Sequence, residues 1–193
     1  FDGELVHTEV IPVGGNHITN DIARGLQTPF AHAERMKNLY GTCLPSPSDD
    51  AEVIQVPLVG EDDETGTVQV ARSMLVGIIR PRVEEIIEIA RERLAKAGYD
   101  QLAGRIVLTG GTSQLTGITE MASRAFSQHV RTAQPKQIDG LAEAVSGPGF
   151  SSVAGLLQYA VATATAPMEA NIDMSQPPNG WLGRIGHWLR ENF

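Results

Sequence analysis

The sequence predicts an α/β fold. Short apolar runs with strand character alternate along the chain with segments of helical period, and glycine and proline turn signals separate them. The length, 193 residues at 41% hydrophobic and 20% charged, suits one substantial core or two small ones. No internal repeat interrupts the pattern.

Taken in order, Glu4 to Pro12 alternates as a strand does and ends in Val13-Gly14-Gly15. Asn16 is placed to cap a helix running to about Gln27, with Ile18, Ile22 and Leu26 on one face. Thr28-Pro29 opens a second helix, proline following the cap, and Gly41 closes it. Residues 42–50 read as a loop. Glu52 to Val59 and Thr67 to Val70 flank the acidic turn Glu61-Asp62-Asp63-Glu64-Thr65-Gly66 and read as a hairpin; the acids fit no calcium-loop spacing and read as a solvated turn. The longest helix runs from about Arg72 to Ala97. Leu75, Ile78, Ile79, Val83, Ile86, Ala90 and Leu94 mark its apolar face, Pro81 should kink or split it, and Gly98 stops it. Arg105 to Thr109 reads as a short buried strand. Gly110-Gly111-Thr112-Ser113 follows it, then a helix from about Thr116 to Phe126, a strand near His129 to Ala133, a glycine-rich loop and a helix from about Ser151 to Thr163.

Both tryptophans lie in the last thirteen residues. At 100° per residue Trp181, Leu182, Ile185, Trp188, Leu189 and Phe193 share an arc of about 140°, with Arg184, His187, Arg190 and Glu191 opposite. Met174 to Gly180, which includes Pro177-Pro178, has no apolar period and reads as a tether. A tethered amphipathic helix of this kind suits a membrane surface, and a tail docked on its own domain or on a partner groove has the same pattern. Six half-buried apolar side chains supply on the order of 5 to 8 kcal/mol at ~25 cal/mol per Å². Gly183 and Gly186 each cost about 1 kcal/mol, so one copy is a weak anchor and firm attachment needs several held together.

Composition removes other classes. No run of eighteen apolar residues is present, and Cys43 is the only cysteine, which excludes a disulfide framework and points to a reducing compartment. The net charge is −8; the tail after Gly180 carries Arg184 and Arg190 against Glu191, +1, leaving −9 for the body and arguing against nucleic acid as a partner. The five histidines show no metal spacing, and no catalytic residue is assigned. With Phe1 in place of an initiator methionine and no signal peptide, the chain reads as a fragment whose beginning lies elsewhere.

Two segments have chemical potential. In Ile106 to Gly117 a strand delivers two glycines into a helix start, where a ligand can approach the backbone closely and exposed N–H groups favour polar or anionic atoms; an ordinary tight turn has the same residues. In Ala33-Glu34-Arg35-Met36-Lys37, Glu34 and Lys37 share a helical face and by themselves read as a solvated ion pair.

Together, and in this order, Val10 to Ala23, Ala33-Glu34 with Lys37 and Gly41, Ile106 to Gly117 and the terminal helix resemble the C-terminal half of an actin-like ATPase. Within that superfamily the chain looks most like the FtsA family of bacterial cell-division proteins. The resemblance covers essentially the whole chain and implies an actin-like (ribonuclease-H-like) fold. It implies that ATP, with Mg²⁺ in the full-length protein, lies against Gly110, Gly111, Thr112 and Ser113 at adenosine, Glu34 and Lys37 at the nucleoside, and Gly14, Gly15 and Asn16 near the phosphates. Residues 1–50 and 98–165 would form a nucleotide-binding subdomain, 51–97 an inserted distal subdomain, 166–180 a linker and 181–193 the membrane-targeting helix.

By the same resemblance Arg82 and Glu85 correspond to contacts for the C-terminal peptide of the tubulin-like protein FtsZ, although a solvated helical face explains them equally. The implied function is an adaptor that polymerises on the cytoplasmic face of the inner membrane and tethers FtsZ filaments to its lipids as the Z-ring assembles. The family's phosphate loops would lie before Phe1, so this fragment is not expected to hydrolyse ATP. Competing classes are a small-molecule kinase, a pilus-assembly relative or a heat-shock-type chaperone. No catalytic acid can be named for a kinase, and no substrate-binding β domain follows for a chaperone.

Overall fold

The computed structural model describes residues 5–60, 66–99, 105–136, 138, 140 and 145–165. The tether, the terminal helix and the acids of the turn at 61–65 lie outside them. The chain divides into two compact units at Leu156–Leu157, of which the second is described only as the end of the last helix.

Helix α1 spans Gly15–Gly25 and α2 spans Phe30–Tyr40. The Asn16 cap is displaced: Gly14 caps α1, and the His17 imidazole Nδ1, three residues on, reaches back to accept the Gly14 N–H at 3.2 Å. Strands β1 (Val53–Pro57) and β2 (Thr67–Ala71) pair antiparallel from Val53 opposite Ala71 to Pro57 opposite Thr67, the expected hairpin. Ile54 and Val56 point into the core while Val53 and Gln55 face out, as a period of two requires.

Helix α3 is one element, Arg72–Lys96, and Pro81 does not split it. The carbonyl left without a donor is that of Gly77, an exposed position where water can satisfy it. Leu75, Ile79 and Val83 are buried as the period predicts, but Leu94 is exposed and Val76 and Ile87 are buried in its place.

Strands β3 (Ile106–Leu108) and β4 (Val130–Thr132) pair in parallel, and α4 (Ile118–Phe126) makes the crossover between them. The expected burial of β3 is incomplete: Val107 is 44% exposed, because a two-stranded sheet with one helix against it covers one face. Helix α5 spans Ser151–Thr165.

One expected strand is absent. Among the described residues, 5–12 join no strand, with Leu5 and Val10 largely exposed. Alternation suits a strand only when a neighbour takes its N–H and C=O groups, and none of the described strands pairs with this segment.

The core gathers α1, α2, α3, α4 and the inner face of the hairpin around Ile18, Ile22, Leu75, Ile79 and Val56. Cys43 is fully buried in it; burial, with the charges of Glu120 and Glu84, pushes its thiol up to about 12, so it serves as a small apolar group. Its N–H donates to the Thr116 carbonyl at 2.8 Å, where Thr42 and Thr116 form an isolated parallel bridge. That bridge fastens the end of α2 to the segment following the glycine pair.

Candidate functional site

Lys37 organises the site. It stands on the buried side of α2, 7% exposed, and reaches across to the first turn of α1. Its Nζ donates to Glu34 Oε2 at 2.7 Å, to Thr19 Oγ1 at 2.8 Å and to the Gly15 carbonyl at 3.3 Å. Thr19, fully buried, has one hydroxyl proton, and the Glu34 carboxylate at 2.5 Å is the better acceptor than the Gly15 carbonyl at 3.1 Å. Glu34 and Lys37 are therefore no solvated surface pair; they lock α2 to α1. Burial works against the Glu34 charge, but hydrogen bonds from Lys37, Thr19 and Asn38, with the lysine's charge, outweigh it and hold the carboxyl below its usual value.

The glycine pair supplies the facing wall. Gly110 has φ +89 and ψ 168, a conformation side chains avoid, and its N–H donates to the Pro148 carbonyl at 3.0 Å. The turn Gly111–Gln114 that follows is 3-10 helical, with Ser113 buried and its hydroxyl donating to the Gly110 carbonyl at 2.7 Å. This wall meets α1 closely. A Cβ on Gly15 would fall 2.2 Å from Thr112 Oγ1, so any side chain there must displace that hydroxyl. At Gly111 an added Cβ would meet nothing within 4 Å.

Between these walls lies an open cleft of about 900 Å³. Gly14, Gly15, Asn16, Glu34, Lys37, Gly111 and Thr112 all line it, so seven of the nine residues singled out for a nucleotide converge. Gly110 and Ser113 do not line it; they shape the turn from behind. Asn38, Arg72 and Gln114 also line it and were not anticipated. Asn38 was within reach of sequence logic, four residues from Glu34 on one helical face, and its amide donates to Glu34 Oε1 at 3.3 Å. Arg72 had no such signal, because only the tertiary fold brings the start of α3 to the end of α2.

Arg82 and Glu85 lie on α3 away from the cleft lining. The Arg82 guanidinium grips Asp21 of α1 with Nε at 2.5 Å and Nη2 at 3.2 Å, and Nη1 bonds Glu85. At Pro81 α3 is unbroken, and the Arg82 side chain ties it to α1. Trp181, Leu182, Ile185, Trp188, Leu189 and Phe193 fall outside the described residues. Among the described residues, no helix is long and apolar enough to cross a membrane.

The architecture defines the class: this is an actin-like fold. The chain superposes on MreB5 of Spiroplasma citri bound to ADP with a TM-score of 0.62 at 18% identity, covering 83% of this chain and 48% of that one. The AMPPNP-bound form gives 0.58 at 16% identity, covering 84% and 48%. A family model described as cell division protein FtsA matches residues 1–155, and the chain belongs to that family. It is 40% identical to the cell division protein FtsA of Agrobacterium fabrum over 196 residues, covering 100% of this chain and 44% of that protein. For the Pseudomonas aeruginosa protein of that name the identity is 35%, covering 100% and 47%, and for that of Escherichia coli K12 it is 34%, covering 99% and 47%. The chain thus spans less than half the length of the curated relatives it matches, and it matches their C-terminal half.

Proposed function

We propose that the cleft between α1, α2 and the Gly111–Gln114 turn binds ATP, and that the protein of which this chain forms part is a cell-division adaptor. It polymerises on the cytoplasmic face of the inner membrane, holds lipid through residues 181–193 and tethers FtsZ filaments through the distal subdomain, residues 51–97. The observation that carries the nucleotide reading is the convergence of the α1 N-terminus, the Glu34–Lys37 pair and the glycine turn on one cleft. The N–H groups at the start of α1 favour phosphate, and its first turn contains no acid to oppose them. The Glu34 carboxylate accepts from hydroxyls such as those of ribose, and Gly111 lets a ligand lie against backbone. Membership of the cell-division family and the ADP and AMPPNP complexes of the structural neighbours favour the same reading.

Glu34 is the one carboxylate among the described residues lining the cleft, and it is committed to Lys37 and Thr19. These residues fit Mg²⁺ poorly, and no hydrolytic step is assigned to them. The test is Gly111→Val. The added side chain enters open cleft rather than protein, so the fold should survive while a fluorescent ATP analogue loses at least about tenfold in affinity. Equal affinities for the parent and the variant would make the glycine turn structural only.

A further inference from the structure

The hairpin of β1 and β2 has one closed edge and one open edge. The Leu58 N–H donates to the Gly66 carbonyl and the Arg72 N–H to the Glu52 carbonyl, both at 2.8 Å, and these two bonds set the parity of the ladder between them. Val56 with Val68 and Ile54 with Val70 are then the hydrogen-bonded pairs. The backbone groups of Val53, Gln55 and Pro57 on β1, and of Thr67, Gln69 and Ala71 on β2, point away from the hairpin. On β1 that outer edge is blunted, since Pro57 has no N–H and its carbonyl takes the Thr28 hydroxyl at 2.6 Å. On β2, among the described residues, no further strand pairs with the outer edge, and Thr67, Val68 and Gln69 are exposed. Ala71 caps α3, so its carbonyl serves the first turn of that helix. The N–H groups of Thr67, Gln69 and Ala71 and the carbonyls of Thr67 and Gln69 are left facing outward.

The residues of this edge say what fits it. Open edges are ordinarily protected by charge or by proline, and Thr67-Val68-Gln69-Val70-Ala71 contains neither. The run is close to a palindrome about Gln69. An antiparallel copy of itself therefore sets Gln69 opposite Gln69, Val68 opposite Val70 and Thr67 opposite Ala71. Val68 lies on the core side of the hairpin with Val56 yet is 43% exposed, because the sheet stops beside it. A second Val70 set against it supplies the missing cross-strand neighbour, one β-branched side chain on another. Charge points the same way. A chain of net charge −8 repels its own copies over most of its surface, but in this strand pairing no ionisable side chain opposes another.

We propose that β2 is a self-pairing edge, at which two copies of the chain join antiparallel across a two-fold axis at Gln69 and merge their hairpins into one four-stranded sheet. At the axis each Gln69 N–H donates to the other copy's Gln69 carbonyl, and on either side an Ala71 N–H donates to the opposite Thr67 carbonyl. The contact is smaller than a standard interface, so it is weak in solution and gains where copies are already held together. A two-fold contact closes on itself and stops at two copies, unlike a filament contact. It is independent of the nucleotide reading of the cleft. The experiment is sedimentation of the 193-residue chain without nucleotide, from about 10 μM to about 1 mM. The average mass should climb toward that of two chains and no further. Gln69 is exposed on the outer face, so Gln69→Lys and Gln69→Glu should fold as the parent does. Each sets like charges across the axis and should need at least about tenfold higher concentration to pair, while an equal mixture of the two should pair again. Trp188→Glu, which places a charge in the terminal apolar arc, should leave pairing unchanged. In the parent, the Gln69 and Ala71 amides should exchange with solvent at least about threefold more slowly at the high concentration than at the low one. A chain monomeric throughout, growth past two copies, pairing lost in Trp188→Glu, indifference to both Gln69 charges, or unslowed amides would each overturn the proposal.

Discussion

The close approach of Gly15 to Thr112 gives a sharp test of the cleft's geometry. Gly15→Ala places a Cβ 2.2 Å from Thr112 Oγ1, while Thr112 Cβ and Lys37 Nζ sit at 3.6 and 3.7 Å, ordinary contacts. Relief requires either a turn of Thr112 to another χ1 rotamer or about 1 Å of separation between the start of α1 and the Gly111–Gln114 turn. Overpacking of this kind costs roughly 1 to 3 kcal/mol, and alanine's better helix propensity returns less than about 1 kcal/mol. The net loss should be about 1 to 2 kcal/mol, read as a shift in the urea midpoint at constant slope. Separated walls also close less well on a ligand, so affinity for the ATP analogue should fall about tenfold. The clash is with a single oxygen, and this decides the reasoning. Among the described residues Thr112 Oγ1 makes no hydrogen bond, so Thr112→Ala alone should change stability by less than about 0.5 kcal/mol. Combined with Gly15→Ala it should restore both stability and affinity. A double variant as impaired as Gly15→Ala alone would refute the direct contact.

Two further outcomes test other parts of the molecule. Lys37→Met should destabilise by roughly 1 to 3 kcal/mol, since Glu34 and Thr19 lose their shared buried donor. The pH dependence has a definite sign: the folded-state pKa of Glu34 is depressed, so its contribution is complete above the usual carboxylate value and is lost as pH falls through the folded one. Denaturation across that acid window should be flatter in the variant, and unchanged curvature would contradict the Lys37 assignment. Trp188→Glu puts a charge at the centre of the terminal apolar arc, and vesicle co-sedimentation should be lost while the denaturation curve of the body is retained.

Local rules made much of this architecture legible. The glycine and proline stops bound α1, α2 and α3 to within a residue or two, and the hairpin and the β3-α4-β4 unit follow from period and turn chemistry. What eluded the sequence depends on partners distant in the chain. Residues 5–12 alternate like a strand but pair with none of the described strands, and Leu94 is exposed although its period places it on the apolar face. The candidate site divides in the same way. Gly14, Gly15 and the glycine turn show themselves as backbone requirements, and Glu34 and Lys37 as a helical pair, but the depth of Lys37 appears only when α1 is laid beside α2. Arg72 is one basic residue among many until Tyr40, Asp49 and Glu52 surround it.

Arg82 changes how the partner surface should be tested. A guanidinium already bidentate on Asp21 and bonded to Glu85 gains little from a third carboxylate, because an acidic peptide must exchange one ion pair for another. Arg82→Glu is a poor probe, since it would set a third carboxylate beside Asp21 and Glu85 and loosen α1 from α3. Asp21→Asn is better. It leaves the arginine charged and correctly placed but weakens its internal competitor. With Asp21 and Arg82 side chains 26% and 28% exposed, the stability cost should stay below about 1 kcal/mol. If Arg82 receives the acidic FtsZ peptide, calorimetric titration of the intact protein should show binding several-fold tighter in Asp21→Asn than in the parent, with the gain shrinking as salt is added. Equal affinity, with α1 still seated on α3, would make Arg82 a strut between two helices and move the partner site elsewhere on residues 51–97.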